Sequence, residues 1–377
     1  MYSIIVLGAG MVGSAMAIDL ATKHSVTLSD INQQALDKAL SKCPSLQTAI
    51  LNVTDRMALQ KIIKPFDLVI CAVPGFLGYD TLKQIIESEK NVIDISFFPE
   101  NSLALDQLAK EKKVTAIVDC GVAPGMGNII LGHYNEQLSL TDFDCLVGGL
   151  PTVKKWPFCY KAPFSPVDVI EEYTRPARYV ENGTLVVREP LTDCEYVDFE
   201  GVGTLEAFNS DGLRSLIITM PHIQNMKEKT LRYPGHVEYI KVLKESGFFG
   251  QKTLKVKGVE IRPLDVTSKI LFDSWKLGDT EEEITVMRIH LKGVDTKGKR
   301  KNIVYHLHDS YCKESHTSSM ARTTGYTATA VANLFLEGLF TGQGVFPPEL
   351  VGKQVGCFDY VLNYLRERNI IYRKEVF

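Results

Sequence analysis

Gly8, Gly10 and Gly13 stand at G-x-G-x-x-G spacing in Gly8-Ala9-Gly10-Met11-Val12-Gly13, directly after the apolar run Ile4-Ile5-Val6-Leu7. Glycines so spaced permit a tight strand-to-helix turn and let backbone N–H groups approach a pyrophosphate. The helix that follows, with apolar Ala15, Met16 and Leu20, adds donors and partial positive charge at its N-terminus. Asp30 ends the next apolar run, 17 residues after Gly13. A carboxylate there accepts both hydroxyls of an adenosine ribose and repels a 2′-phosphate. No arginine lies between Ile31 and Ala35 to receive that phosphate. The expected cofactor is NAD rather than NADP, held by Gly8, Gly10, Met11, Val12, Gly13 and Asp30. Hydride transfer is the chemistry such a cofactor brings.

Three later apolar runs end in residues expected to rim the same cleft, because open parallel sheets bind ligands beyond the carboxyl ends of their strands. They are Ala72-Val73-Pro74-Gly75, Asp94-Ile95-Ser96-Phe97 and Asp119-Cys120-Gly121, the last continuing into Val122-Ala123-Pro124-Gly125. Val73, Pro74, Ser96, Gly121 and Pro124 thereby join the expected cofactor wall. The Gly- and Pro-rich turn either shapes the backbone near the nicotinamide or only crosses between domains.

The elements that position these residues are legible as rhythm. Apolar runs at 3–7, 26–29, 47–51, 68–71, 92–95 and 114–118 alternate with helical patterns such as Leu36, Ala39, Leu40, Cys43. Six strands separated by helices predict an α/β fold with a Rossmann-type, doubly wound parallel sheet. After Asn128 the text changes to strands and hairpin turns, at Asn182-Gly183 and at 295–298. A second, α+β domain with a mostly antiparallel sheet is expected there, with a helix over 237–244. Helices over 320–339 and 358–368 close the chain. The expected domains are 1–128 (NAD-binding), 129–316 (substrate-binding and dimerisation) and 317–377 (helical, packing back on the first).

Composition narrows the class. A net charge of −3 in 377 residues, with 45% hydrophobic and 23% charged residues, carries no basic footprint for nucleic acid and no polybasic membrane segment. The eight cysteines form no C-x-x-C pair and the eight histidines no H-x-x-x-H pair, so neither zinc nor another metal is expected. Scattered thiols in apolar text suit a reducing compartment, and a cytoplasmic location is expected. The uncharged stretch 4–18 lacks a basic leader and is broken by glycine, which reads as strand-turn-helix rather than as a signal peptide. The expected partners are a small-molecule substrate and a second copy of the chain in a homodimer.

Motifs along nearly the whole chain resemble the saccharopine dehydrogenase family. They include Val73-Pro74-Gly75-Phe76-Leu77-Gly78, Ala123-Pro124-Gly125, Gly148-Gly149-Leu150-Pro151, 171–178, Ser210-Asp211-Gly212-Leu213-Arg214-Ser215, 230–236 and Ser319-Met320-Ala321-Arg322-Thr323-Thr324-Gly325-Tyr326. Within the family the pattern is most similar to the lysine 6-dehydrogenases. One departure guides that choice. Saccharopine-forming members carry a substrate-contacting aspartate before the Pro-Gly turn, and here that position is Ala123. By resemblance, Arg214 and the stretch Thr230–Arg232 match the family's substrate-binding positions, and Ser96 and Phe97 match its cleft wall.

The resemblance implies NAD-dependent oxidation of the ε-amine of L-lysine to α-aminoadipate semialdehyde, which cyclises. The costly step is losing the ammonium proton, since a free lysine amine has a pKa of ~10.4. Desolvation lowers such a value by ~3–5 units, and Phe97, Phe98, Ala123 and Leu150 are the expected apolar pocket. His236 and Asp119 are the candidate bases. Either has a purely structural alternative, as a helix-opening histidine or as an acceptor for turn N–H groups. Arg214 is the expected partner of the α-carboxylate, because a guanidinium fork binds carboxylates in two places; Arg232 and Arg178 are rivals. Two other readings stand beside this one: a saccharopine or polyamine reductase of the same family, and a nucleotide-binding protein without turnover.

Overall fold

The burial of each strand follows from what covers its sheet. The computed structural model describes residues 1–377, apart from the side chains of residues 166 and 167. Six parallel strands come first: β1 (Ser3–Leu7), β2 (Ser25–Asp30), β3 (Gln47–Ile50), β4 (Leu68–Cys71), β5 (Val92–Asp94) and β6 (Thr115–Ile117). Helices α1 (Met11–Leu20), α2 (Gln33–Lys42), α3 (Arg56–Ile63), α4 (Gly75–Glu87) and α5 (Asp106–Glu111) connect them. Ile4–Leu7 and Leu68–Cys71 are apolar at every position because helices cover both faces of the sheet, leaving no solvent side to alternate with.

The second half is built on β7 (Leu138–Pro151), which α6 (Met126–Asn135) delivers to the centre of a larger sheet. Beside it lie β8 (Ala177–Glu181), β9 (Thr184–Arg188), β10 (Glu195–Phe199), β11 (Gly203–Asn209), β12 (Asn225–Arg232), β15 (Glu283–Asp295) and β16 (Arg300–Ser310). A small hairpin, β13 (Leu254–Val256) and β14 (Val259–Ile261), stands apart. The large sheet is antiparallel except where β12 runs parallel to β7. It carries α7 (Pro166–Thr174) and α8 (Leu216–Thr219), which the sequence does not announce, α9 (His236–Glu245), close to the expected 237–244, and α10 (Pro263–Trp275), again unannounced.

The end of the chain serves both halves. Helix α11 (Ser319–Leu336) lies against α1, and β17 (Gly344–Phe346) pairs with β6 as a seventh parallel strand. This strand is three residues long and follows no alternation, so periodicity does not announce it. Helices α12 (Pro348–Lys353) and α13 (Cys357–Arg366) follow, and β18 (Tyr372–Val376) pairs with β16 in the large sheet. A buried ionic knot fastens this segment. Asp19 of α1 accepts from Arg368 Nε at 2.7 Å and from the Tyr364 hydroxyl at 2.7 Å. Arg322, within the motif 319–326, is bound to Asp309 at 3.1 Å and does not reach the cleft. Among the described residues, no helix is long and apolar enough to cross a membrane.

Candidate active site

The carboxyl ends of β1, β4, β5 and β6 open on a cleft of about 830 Å³, closed on its far side by the second half of the chain. Gly8 has φ +108°, and a Cβ there would stand 2.4 Å from the Ala72 carbonyl oxygen. A Cβ on Gly13 would stand 2.0 Å from the Gly8 carbonyl oxygen. The turn itself demands these two glycines. Gly10 differs, since nothing lies within 4 Å of where its Cβ would be. That open space fronts the N-terminus of α1, whose cap forms no side-chain hydrogen bond. Main-chain donors facing that space fit a diphosphate, and Met11 and Val12 line the same turn.

Asp30 is oriented by two main-chain donors. One oxygen accepts from Ala9 N at 2.6 Å, the other from Asn32 N at 2.8 Å. Each oxygen keeps a lone pair for a ribose hydroxyl. Lys38 and Lys42 of α2 line this end too, Lys38 bonded to the Asp279 carboxylate and Lys42 to the His316 carbonyl at 2.8 Å. Val73, Pro74, Ser96, Gly121 and Pro124 all line the cleft further along. The floor therefore fits an extended dinucleotide from Asp30 to Pro124.

The opposite wall is ionic. Helix α7 turns Asp168, Glu171, Glu172 and Arg175 to the cleft at i, i+3, i+4 and i+7, and β12 turns Glu228, Thr230 and Arg232 by alternation. Asp168 accepts from Gly75 N at 3.3 Å, joining the two walls, and burial pushes its carboxyl up to about 6. Arg232 is saturated: it reaches Glu172 at 2.7 Å, the Tyr173 hydroxyl at 3.1 Å, the Tyr160 hydroxyl at 3.4 Å and its neighbour's carbonyl at 3.0 Å. The Thr230 hydroxyl donates to Ser210 Oγ at 2.8 Å.

Two side chains on this wall have unused capacity. Arg175 gives one donor to Glu171 at 3.1 Å, but its Nε and Nη1 are buried without an acceptor. Its guanidinium lies over the Phe97 ring, 4.8 Å from the centroid. Glu228 is 7% exposed and forms no hydrogen bond or ion pair among the described residues. Its carboxylate rests on the Gly212 backbone so closely that a Cβ there would be 1.7 Å from Oε1. Burial, then the charges of Glu172, Asp211 and Asp119, push this carboxyl up to about 8. Neither is among the expected site residues, although the motif 171–178 contains Arg175. Glu228 lies two residues before Thr230 on the same strand face, and Arg175 extends the ionic face of α7; those spacings were the available signal.

Of the predicted substrate-side residues, Ser96, Phe97, Ala123, Thr230, Arg232 and Asp119 line the cleft. Arg214 does not. Its Nε stands 2.9 Å from the Asp119 carboxylate and its Nη1 donates to the Phe98 carbonyl at 2.6 Å. Its guanidinium also faces the Phe97 and Phe98 rings at 4.9 and 5.4 Å. The expected carboxylate binder and one expected base are thus each other's counter-ion. Arg178 is likewise bound to Asp211, at 2.9 and 2.8 Å. Leu150 is 1% exposed and packs with Leu205, Leu231 and Val286, away from the cleft. Phe98 is fully buried beneath the floor.

His236 is corrected most sharply. It is 1% exposed, ringed by Phe158, Tyr160, Tyr173 and Trp275. Nδ1 lies 2.9 Å from the Phe158 carbonyl, which can only accept, so Nδ1 carries the proton. Nε2 then accepts from the Tyr173 hydroxyl at 2.9 Å, and that hydroxyl accepts from Arg232. Burial pushes the imidazole down to about 3. His236 is a neutral anchor for Tyr173 and, through it, Arg232. Among the described residues, no group of three or more His, Cys, Asp or Glu is placed to hold a metal ion.

A family model described as the saccharopine dehydrogenase NADP binding domain matches residues 4–117, and one described as the saccharopine dehydrogenase C-terminal domain matches residues 121–371. The NADP(+)-dependent, L-glutamate-forming saccharopine dehydrogenase of Saccharomyces cerevisiae is 22% identical over 99% of this chain and 98% of its own. That of Pyricularia oryzae is 24% identical over 80% and 69%. The mitochondrial alpha-aminoadipic semialdehyde synthase of Mus musculus is 26% identical over 69% of this chain, which spans 30% of that longer protein. The solved structure of the S. cerevisiae saccharopine dehydrogenase shares the fold across the full length of both chains, with a TM-score of 0.80 at 19% identity. With the dinucleotide floor and both matched regions together, the chain belongs to the saccharopine dehydrogenase family, oxidoreductases built on a pyridine-nucleotide-binding domain.

Proposed function

We propose that the chain oxidises the ε-amine of L-lysine by hydride transfer to NAD, giving an imine that water hydrolyses to ammonia and α-aminoadipate semialdehyde, which cyclises to piperideine carboxylate with loss of water. The observation that carries this reading is the charge inventory of the ionic wall. Among the described residues, Arg175 is the cleft arginine with unused buried donors, because Arg232 is saturated and Arg214 and Arg178 are bound elsewhere. Saccharopine brings three carboxylates, lysine one. A carboxylate moved into a cleft without a cation stays costly, so one open guanidinium suits the monocarboxylate. Ala123 removes a further charge from the wall, and an apolar surface there favours the neutral amine.

A bound nicotinamide ring supplies the hydride acceptor. The chain's own residues do the rest. Arg175 takes the α-carboxylate, Phe97, Ala123 and Pro124 exclude water along the methylene chain, and Asp30 receives the adenosine ribose. Arg232 and Glu172 neutralise each other and hold α7 against β12.

A second reading has its own support. The two saccharopine dehydrogenases named above are NADP-linked and form L-glutamate, and Lys38 and Lys42 stand at the adenosine end, where a 2′-phosphate would meet them. Initial rates of reduced-nicotinamide formation decide between the two, with NAD or NADP against L-lysine, L-ornithine and saccharopine. Turnover of lysine with NAD is the expected outcome. Turnover of saccharopine with NADP, and none of lysine, would replace the proposal with the second reading.

A further inference from the structure

Glu228 is a carboxyl group placed where nothing in the protein uses it. It projects from β12 on the same face as Thr230 and Arg232, lines the cleft, and is nine-tenths buried without a partner. A buried polar group left unmatched costs stability, and a shorter or apolar side chain would fill the space over Gly212 without that cost. The groups packed around it also fail to neutralise it. Helix α7 faces it with Glu172, whose charge Arg232 takes. Loops contribute Asp211, bound to Arg178, and Asp119, bound to Arg214; β7 contributes the thiol of Cys145. The guanidinium groups of Arg232 and Arg214 are already engaged with other carboxylates.

We propose that Glu228 is the catalytic base of this site, taking a proton from the substrate ammonium. The inference rests on the amine-oxidation reading above. The step is a transfer between two heavy atoms: one N–H bond breaks, one O–H bond forms on a Glu228 oxygen, and the electron pair stays on nitrogen. It involves no change of oxidation state. The environment makes it feasible. Between a free glutamate and a free lysine, pKa values of ~4.3 and ~10.4 leave a gap of ~6 units, a million-fold bias toward the ion pair. With Glu228 pushed up to about 8 by burial, the gap to a free amine is ~2.4 units, a bias of roughly 250-fold. Desolvation of the amine narrows it further.

The test compares the wild-type chain with Glu228→Gln and Glu228→Asp. Folding is checked by thermal unfolding, and dinucleotide binding by NADH fluorescence titration. The wild type should show kcat/KM for L-lysine rising with pH along an acid limb. Glu228→Gln should lower kcat/KM by at least ~100-fold, within the ~10²–10⁴ typical of acid–base groups, and abolish that limb, with NADH affinity within twofold. Glu228→Asp should restore part of the rate and move the limb. A Glu228→Gln protein that binds NADH normally and keeps the acid limb would overturn the assignment. If the wild type oxidises saccharopine but not lysine, the lysine reading fails, and the same profiles taken with saccharopine still decide Glu228. Turnover of neither amine would overturn both.

Discussion

The two walls of the cleft are built on opposite principles. The Rossmann floor presents main-chain groups, the Gly8–Gly13 turn and the α1 N-terminus, and one side chain, Asp30, that main-chain donors hold in place. Its chemistry is local, so it is written in a short stretch of sequence. The α7–β12 wall binds with charged side chains. There the useful group is whichever charge remains after the others have paired, and pairing joins residues far apart: Asp119 with Arg214, Glu172 with Arg232, Asp211 with Arg178. Residue type therefore says what a main-chain site can bind, whereas a charged site becomes readable after its partners are counted.

The floor breaks most completely at a glycine. Gly13→Ala puts a Cβ 2.0 Å from the Gly8 carbonyl oxygen, forcing the turn apart. NADH affinity should fall roughly 100-fold or more, equivalent to about 2.7 kcal/mol. Gly10→Ala sharpens the point, since its Cβ meets no protein atom. It should leave the melting temperature within ~2 °C yet still weaken NADH roughly 10-fold, by filling the cradle. Fluorescence titration and thermal melts on both variants give the answer. If Gly10→Ala binds normally, the diphosphate does not use that space.

The ionic wall breaks more selectively. Arg175→Ala should raise KM for the amino-acid substrate by ~10–150-fold, the range of a charge-assisted hydrogen bond worth ~1.5–3 kcal/mol. NADH affinity should stay unchanged. Arg214→Ala is the contrast. It strands the buried Asp119 carboxylate, and breaking such a pair costs ~3–5 kcal/mol of stability. Steady-state kinetics beside urea unfolding separate the two. A selective KM effect at Arg214, with Arg175→Ala silent, would return the carboxylate site to the position expected from the family resemblance.

This contrast sets what the sequence could say. The first six strands, the hairpin turns at 182–183 and 295–298, and the glycine turn obey short-range rules and stand where their patterns place them. Strand β17 escapes because three residues carry no period, and it is held by β6 at a separation of more than 200 residues. On the ionic wall the sequence points to Thr230 and Arg232 but not to Glu228, although one strand carries all three and all three line the cleft. A glutamate on a strand ordinarily reads as solvent-facing, and its burial follows from Gly212 and α7 arriving from elsewhere. Arg214 is misjudged for the same reason: its partner lies 95 residues away.

The smallest effect concerns the layer beneath the ionic wall. His236→Phe keeps the ring volume but leaves the Tyr173 hydroxyl and the Phe158 carbonyl short of a partner, costing about 1–3 kcal/mol near pH 7.5. The folded-state imidazole is pushed down to about 3, against ~6.5 in the unfolded chain. Between those values the unfolded chain binds more protons, so the stability His236 confers is full above pH ~6.5 and falls as pH drops, by ~1.4 kcal/mol per unit. Wild type and variant should therefore converge in urea unfolding between pH 7.5 and 5. The raised carboxyls of Asp94 and Glu283, both pushed up to about 7 by burial, act in the opposite direction in both proteins and cancel in the difference. The acid limb of kcat/KM should not move, because the imidazole never meets the substrate. A gap that ignores pH would mean His236 is not a buried neutral group, and a shifted limb would bring it back into the chemistry.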